Sequence, residues 1–516
     1  MTATRAASTR KTAAKKIAEP KPEEPVVVAK RPGKRARKAE DDEAPAPKKV
    51  RAAAAAPKAA PKAKPVAKAA APKKEEKILT EPPKERLSIF TFGTGENGDL
   101  GLGPLPNAKE VKRPRLNPFL PIDKVGVVEV ALGGMHGLVL THDGKVYSWG
   151  VNDMCALGRD TSGDEKTREV GAESSDEDDD IEEHMNKFES TPMLVTFPTP
   201  VTITRIAAGD SISIAVTNTG RVYGWGTFRA ADGILGFTES TRVQPTPIEL
   251  PGLTNIIDVA CGNDHVLVLD TKGTVYAWGN GQQNQLGRRV VERTRTNALT
   301  PRALTFPHRL KVSRIFSGQY HSFAITTDGA VYAWGLNGYA QTGIYEADDS
   351  ESLQTIHTPQ LVASLSQYEI THLAGGQHHS LAITKSGDLL TWGRMDAHQV
   401  GVIGKDLPQE HVIRDVAGKD RILTTPTKVA DVKFRAADCG IDHCVAIDEH
   451  GQAWSWGFGT QYQVGQGPPA RDVEVPTMIV NTATKDVDMK VVSCGGNFST
   501  LGGVPKPLEA NGVDGA

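Results

Sequence analysis

The chain has 516 residues, a formal net charge of -2, 39% apolar residues and 24% charged ones. That length suffices for one large closed core or several smaller ones. No apolar run reaches the length of a membrane-spanning helix, and the N-terminus lacks the apolar core of a secretory signal.

The balanced total hides an asymmetry. Residues 1–87 carry 24 Lys and Arg against 11 Asp and Glu, a net +13, and the rest of the chain carries 36 against 51, a net -15. A basic arm on an acidic body points to a polyanion for the arm and a different partner for the body. The arm is mostly Ala, Lys, Pro, Arg and Glu, as in KAAPKAKPVAKAAAPKK, with almost no large apolar residue before Ile78. It cannot bury enough surface to offset the cost of ordering, so a disordered segment is expected over 1–87. Its cluster KRPGKRARK at 30–38 contains Lys30, Arg31, Lys34, Arg35, Arg37 and Lys38 and suits a nuclear import receptor. KKVR at 48–51 would be the second half of a divided signal, and the EDDE run at 40–43 argues against a mitochondrial presequence. The same charge would hold DNA in a salt-sensitive, sequence-indifferent way. A solubilising tail is the alternative.

From residue 88 the sequence repeats. VVEVALGGMHGLVLTHDGKVYSWG ends at 150, ITRIAAGDSISIAVTNTGRVYGWG at 226 and IIDVACGNDHVLVLDTKGTVYAWG at 279. VSRIFSGQYHSFAITTDGAVYAWG ends at 335, ITHLAGGQHHSLAITKSGDLLTWG at 393 and VKFRAADCGIDHCVAIDEHGQAWSWG at 457. Self-similarity at this period marks stacked supersecondary units. In each copy an apolar run reaches a small residue and Gly, an alternating run such as SLAIT follows, and a turn such as Asp143-Gly144 leads into VYxWG. These are short strands joined as hairpins, and no window keeps a helical period.

Units that cannot bury their own faces stack radially as a propeller. The last copy, MKVVSCGGNFSTLGG, stops halfway, and LSIFTFGTGENGDLGLG near residue 88 supplies a second half. The sequence therefore predicts an all-β, seven-bladed propeller over 88–503, closed by pairing of N- and C-terminal strands, with a flexible tail at 504–516.

Function is sought where the copies differ. The WG pairs and His265, His321, His379 and His443 recur at fixed places, as packing residues do. ESSDEDDDIEE at 173–183 must be a solvated loop, read first as a solubilising insertion and second as a site for a basic partner. GTFRAADGILG at 226–236 replaces a plainer turn with a projecting hairpin that holds Arg229 and Asp232. RRVVERTRT at 288–296, with Arg288, Arg289, Arg293 and Arg295, would grip phosphate or an acidic protein face, or be ordinary surface charge. The bends after the small-Gly pairs hold Asp210, Asp264, His378 and Asp442, positions that a ring would gather on one face. No nucleophile–base set or phosphate-binding motif is present. Cys155, Cys261, Cys439, Cys444 and Cys494 are odd in number and spaced for neither zinc nor disulfides, so they read as reduced intracellular thiols.

The unit AGGxxHSLAIT…GxVYxWG…QLG resembles the repeat of the regulator of chromosome condensation family across 88–503. GGMH at 133–136, ALGRDTS at 156–162, GTFRAADGILG, SGQYHSFAI and AGGQHHS are most similar to that family's nuclear exchange factors for the Ran GTPase, in a fungal-like version. The resemblance implies nucleotide exchange on a Ran-like small GTPase, without covalent chemistry, cofactor or metal of the chain's own. It makes 227–236 a wedge, with Thr227, Phe228, Gly233 and Ile234 beside Arg229 and Asp232. It assigns partner contacts to Glu96, His136, Asp210, Asp264 and His378, and a nucleosome- or DNA-contacting role to 288–296. Glu96 stands where the family usually has Asp. Phe498 stands where it has His, which implies one lost polar contact with the GTPase. A chromatin-bound scaffold without exchange activity is the competing expectation.

Overall fold

The computed structural model describes residues 77–163, 185–347 and 353–507. The basic clusters at 30–38 and 48–51, the acidic run at 173–183 and the tail from 508 lie outside the described residues.

Seven antiparallel sheets stand side by side around one axis. In a typical sheet the strands follow chain order from the axis outward, as in Ile256–Cys261, His265–Asp270, Val275–Gly279 and Arg302–Ala303. The innermost strands touch in sequence, and Val487–Cys494 of the last blade meets Val127–Leu132 of the first. The final blade is made from both ends of the chain. Ser88–Thr94 lies between Glu110–Leu116 and Phe498–Pro505, with Phe92 opposite Ser499 and Phe90 opposite Leu501. No open edge remains between first and last blades.

Second strands such as HVLVLD at 265–270 and HSFAIT at 321–326 are buried at every position. A strand covered on both sides by neighbouring blades loses the polar face of a half-exposed one, which explains their nearly continuous apolar runs.

A hydrogen-bonded rung joins most successive blades. His265 Nε2 meets Ser322 Oγ of the next blade at 2.8 Å, His321 meets Ser380 at 2.7 Å and His443 meets Ser499 at 2.8 Å. The serine donates to a loop carbonyl of the preceding blade, Gln285 O for Ser322 and Gln341 O for Ser380. The blade's Trp334 or Trp392 indole N–H donates to that same oxygen at 2.9 Å. The histidine Nε2, the Ser hydroxyl and the Trp N–H thus bond across a dry interface, where an unpaired polar group costs about 1–3 kcal/mol, and the Nδ1 atoms of His265, His321 and His443 are left without a partner.

Two rungs are apolar, and they are apolar at both ends. Ile212 stands in the histidine register with Val266 in the serine register that follows; Phe498 is likewise followed by Gly137. Phe498 is 1% exposed. Its side chain is interior, packed within the blade interface.

Residues 79–87, which composition placed in the disordered arm, run along the propeller. Leu79 N donates to Asn218 O at 2.7 Å, Thr80 Oγ1 bonds Thr204 Oγ1 at 2.8 Å, and Leu87 is buried against Val127. Leu79, half-buried beside Gly220, and the buried Leu87 are the apolar side chains by which this segment docks.

Candidate functional site

Because the strands alternate in direction, loops between first and second strands open on the same face as those between third and fourth strands. The tight turns, such as Asp143-Gly144, lie on the other. On the first face the small-Gly bends converge around the axis. Asp210 N donates to Asn263 O, Asn263 N to Gln319 O, Gln319 N to Gly376 O, and Gly496 N closes back to Gly134 O, at 2.7–3.1 Å. The backbones lie so close that a Cβ on Gly209 would come within 2.6 Å of Gly262 O and 2.7 Å of Asn263 O. They enclose an axial cavity of about 150 Å³ lined by Gly133, Gly209, Asp210, Gly262, Cys439 and Cys494 among others.

Beside this ring stands the hairpin Phe228–Ala230 / Gly233–Gly236. Ala231 and Asp232 form its tip, and Gly233 follows at φ +122°, a conformation that disfavours a side chain. Its root is fastened from three sides. Thr227 Oγ1 donates to Arg242 O at 2.7 Å, Phe228 is fully buried among Trp278, Phe237 and Leu299, and Asn280 Nδ2 donates to Arg229 O at 3.0 Å. Gln282 Oε1 accepts from Ala231 N at 3.2 Å.

Arg229 lies between two carboxylates. Its backbone N–H donates to Asp264 Oδ1 at 2.6 Å, and its guanidinium lies 3.5 Å from Asp210 Oδ2. Burial is the main reason that Asp264 rises to about 7; Asp210 raises it further, while the Arg229 N–H and guanidinium oppose the rise. At the tip Asp232 pairs with Arg295 at 2.7 Å, which ties the hairpin to the Arg-rich loop.

A second cluster flanks the first across the face. His378 stacks on Tyr339 with ring centroids 4.8 Å apart, and Arg394 lies 5.4 Å from the same ring. Arg394 bonds Asp396 at 2.6 Å and approaches Asp442 at 3.9 Å, while Gln399 Nε2 donates to Asp442 at 2.9 Å. Burial first, and then Arg394, lower His378 to about 4, so it is a neutral imidazole near pH 7.

The expected site residues therefore separate. Asp210, Asp264, Arg229, Asp232 and Gly233 come together; His378 lies in the neighbouring cluster, Ile234 is half-buried on the hairpin, and Glu96 is exposed in the loop at 95–109. The side chains of His136, Thr227 and Phe228 lie behind the face and not on it. His136 is 1% exposed, with Nε2 on Ser213 Oγ at 2.9 Å, and the other two side chains are fully buried. They anchor the face from behind.

The Arg-rich loop is divided as well. Arg288 turns inward to donate to Ala277 O at 3.3 Å, as Arg159 does to Ser148 O, so it is a repeat residue and not a free cation. The matching strings ALGR at 156–159 and QLGR at 285–288 carry that signal in the sequence. Arg289 and Arg293 are exposed, and Arg289 and Arg295 line a groove of about 700 Å³ with Asn280, Gln282, Glu292 and His357. Sequence reasoning also missed Arg394. Its signal was a charge directly after the WG pair, where other copies have Val151, Thr227, Asn280, Leu336 or Phe458.

Residues 88–501 match the family model described as RCC1-like domain. The chain belongs to the RCC1-like family. Within it, the chain is 46% identical to the guanine nucleotide exchange factor SRM1 of Saccharomyces cerevisiae, over 81% of this chain and 87% of that protein. It is similar to the crystal structure of Prp20p from the same yeast, described with its binding properties to Gsp1p and histones. There the identity is 43%, the TM-score 0.75, and coverage 83% of this chain and 94% of the other. A crystal structure of Kap60 bound to yeast RCC1 (Prp20) gives 42% identity and a TM-score of 0.76, covering 86% and 97%. For an RCC1-like propeller, the irregular hairpin and its two carboxylates are the features a plain repeat does not explain.

Proposed function

We propose that this RCC1-like chain is a guanine nucleotide exchange factor for a Ran-class small GTPase, acting on chromatin in the nucleus. The observation that carries the reading is the Arg229 latch. Among the described residues this hairpin forms a two-stranded sheet of its own, whereas the Val412–Arg414 / Asp420–Lys428 hairpin extends the sheet of its blade. It is held by a buried carboxylate, at the rim of a face that gathers Asp210, Asp264, His378 and Asp442. The likeness to SRM1 and to the Gsp1p-binding Prp20p supports the partner.

Exchange needs no bond making. The chain binds the nucleotide-free GTPase more tightly than the nucleotide-bound one, and that difference is what loosens the nucleotide. A rigid hairpin serves this end, because a flexible one would yield where it should displace the partner's loops. Asp210, partly exposed, presents negative charge to a basic surface while the buried Asp264 holds the hairpin, and the neutral His378–Tyr339 pair offers a flat, partly apolar contact.

The basic cluster at 30–38 serves as the import signal, in keeping with the Kap60 complex of the yeast relative. Arg289, Arg293 and the arm hold nucleosomal acidic surface or DNA, in keeping with the histone binding described for Prp20p.

The test is release of a fluorescent GDP analogue from Ran. The full chain should accelerate release strongly and Asp264→Ala weakly, with both proteins folded by circular dichroism. Equal rates with and without the full chain would leave the scaffold reading in place.

A further inference from the structure

One rung of the blade-to-blade ladder departs from the others. His136, His265, His321 and His443 each meet a serine hydroxyl of the next blade, whereas His379 Nε2 meets Cys444 Sγ at 3.1 Å. Cys439 lies opposite Cys444 across the Phe434–Cys439 / His443–Asp448 hairpin, with its sulfur 3.5 Å away. We propose that His379, Cys439 and Cys444 form a binding site for a thiophilic divalent ion of the zinc class, set in the wall of the axial channel.

The geometry is close to what such an ion needs. The three ligand atoms lie within 4.8 Å of one another, and all three residues are buried. With Zn–S near about 2.3 Å and Zn–N near about 2.0–2.1 Å, tetrahedral ligand atoms sit roughly 3.3–3.8 Å apart. The two pairs at 3.1 and 3.5 Å reach that size by opening a few tenths of an ångström, and the His379–Cys439 pair lies within 4.8 Å.

The chemistry fits the setting. A thiol is a poorer hydrogen-bond partner than the serine used at the other rungs, so the cysteine weakens the ladder while adding a soft ligand. Two thiolates and a neutral imidazole cancel the charge of a divalent ion, leaving a neutral complex where a net charge would be costly to bury. Cys439 lines the axial cavity, which gives the ion its route in and leaves room for a water as fourth ligand. The Gln399 carbonyl, 3.5 Å from Cys444 Sγ, is the protein's own candidate for that position.

The site does not rest on exchange activity and is tested without it. The full-length chain, prepared without an affinity tag, is stripped with a chelator under reductant, equilibrated with zinc, gel-filtered and analysed for metal. One zinc per chain is expected, with an upward shift in Tm. Cys444→Ser rebuilds the serine rung found elsewhere, so it should fold and retain no zinc. Cys261→Ser, in the cavity wall outside the cluster, should retain it. Cobalt in place of zinc should give thiolate charge-transfer bands that disappear in Cys439→Ser. A wild-type chain that holds no zinc, zinc retained by Cys444→Ser, or a Cys439–Cys444 disulfide in protein whose thiols were blocked at lysis would each overturn the proposal.

Discussion

Asp264 and Arg229 are joined side chain to main chain: the carboxylate oxygen accepts the hairpin's own N–H at 2.6 Å, while the Arg229 guanidinium reaches out to Asp210 at 3.5 Å. One carboxylate thus holds the hairpin in place and the other is neutralised in part by it. Replacement of Asp264 by Ala orphans a partly buried N–H and should cost about 1–3 kcal/mol locally. Exchange should fall by roughly 5–150-fold, the range of an ordinary coupling energy.

Asp264→Asn separates charge from hydrogen bond. An unfolded Asp ionises near 3.8 and this one near 7 in the fold, so between those values the folded state holds the extra proton. Stability therefore falls as pH rises through that window, by up to about 1.4 kcal/mol per pH unit, and is lowest above 7. Thermal melts should show Asp264→Asn level with wild type near pH 4 and more stable at pH 8, while its exchange activity is reduced. A difference that does not change with pH would contradict the buried-carboxylate account.

Gly233 has φ +122° and open space around any added Cβ. Gly233→Ala therefore tests backbone conformation alone, at a cost of roughly 1–3 kcal/mol confined to the hairpin. Nucleotide release should slow while Tm hardly moves. Gly209→Ala, which drives a methyl into Gly262 O, should instead lower Tm.

The paired apolar rungs predict a coupled response. His265→Ile should destabilise by about 1–3 kcal/mol by removing the imidazole that Ser322 and Ser317 share, although Ser322 Oγ still donates to Gln285 O, and Ser322→Val added to it should recover part of that loss, reproducing Ile212 and Val266. Chemical denaturation of both singles and the double measures the coupling. Additive losses would contradict the rung as a unit.

Arg289 and Arg293 should act on binding and Arg288 on folding. Alanine at either exposed arginine should lower the slope of log affinity for nucleosomal DNA against log salt by about 1, with Tm unchanged. Alanine at Arg288 should lower Tm, since its guanidinium donates to Ala277 O inside the blade.

The ring was legible because it repeats. Six WG pairs and two half-units at the ends gave seven blades and their closure, and the small-Gly bends gave the face on which Asp210, Asp264 and His378 lie. The irregular 226–236 copy stood out for the same reason. Side-chain direction was not legible. Thr227, Phe228 and Arg288 sit in loops that read as polar or basic, yet their neighbours in space, Arg242 O, Trp278 and Ala277 O, come from other segments. The His379–Cys439–Cys444 cluster escaped for a related cause. Zinc motifs are recognised by local spacing, and this one spans two blades.

The central claim is that the hairpin displaces nucleotide and does nothing for chromatin. A chain with residues 228–234 shortened to a plain turn would be compared with the full chain in two assays on the same preparation, release of fluorescent GDP from Ran and binding to nucleosomes. The account predicts that accelerated release is lost while nucleosome binding is kept. Release that stays as fast as with the full chain would contradict it.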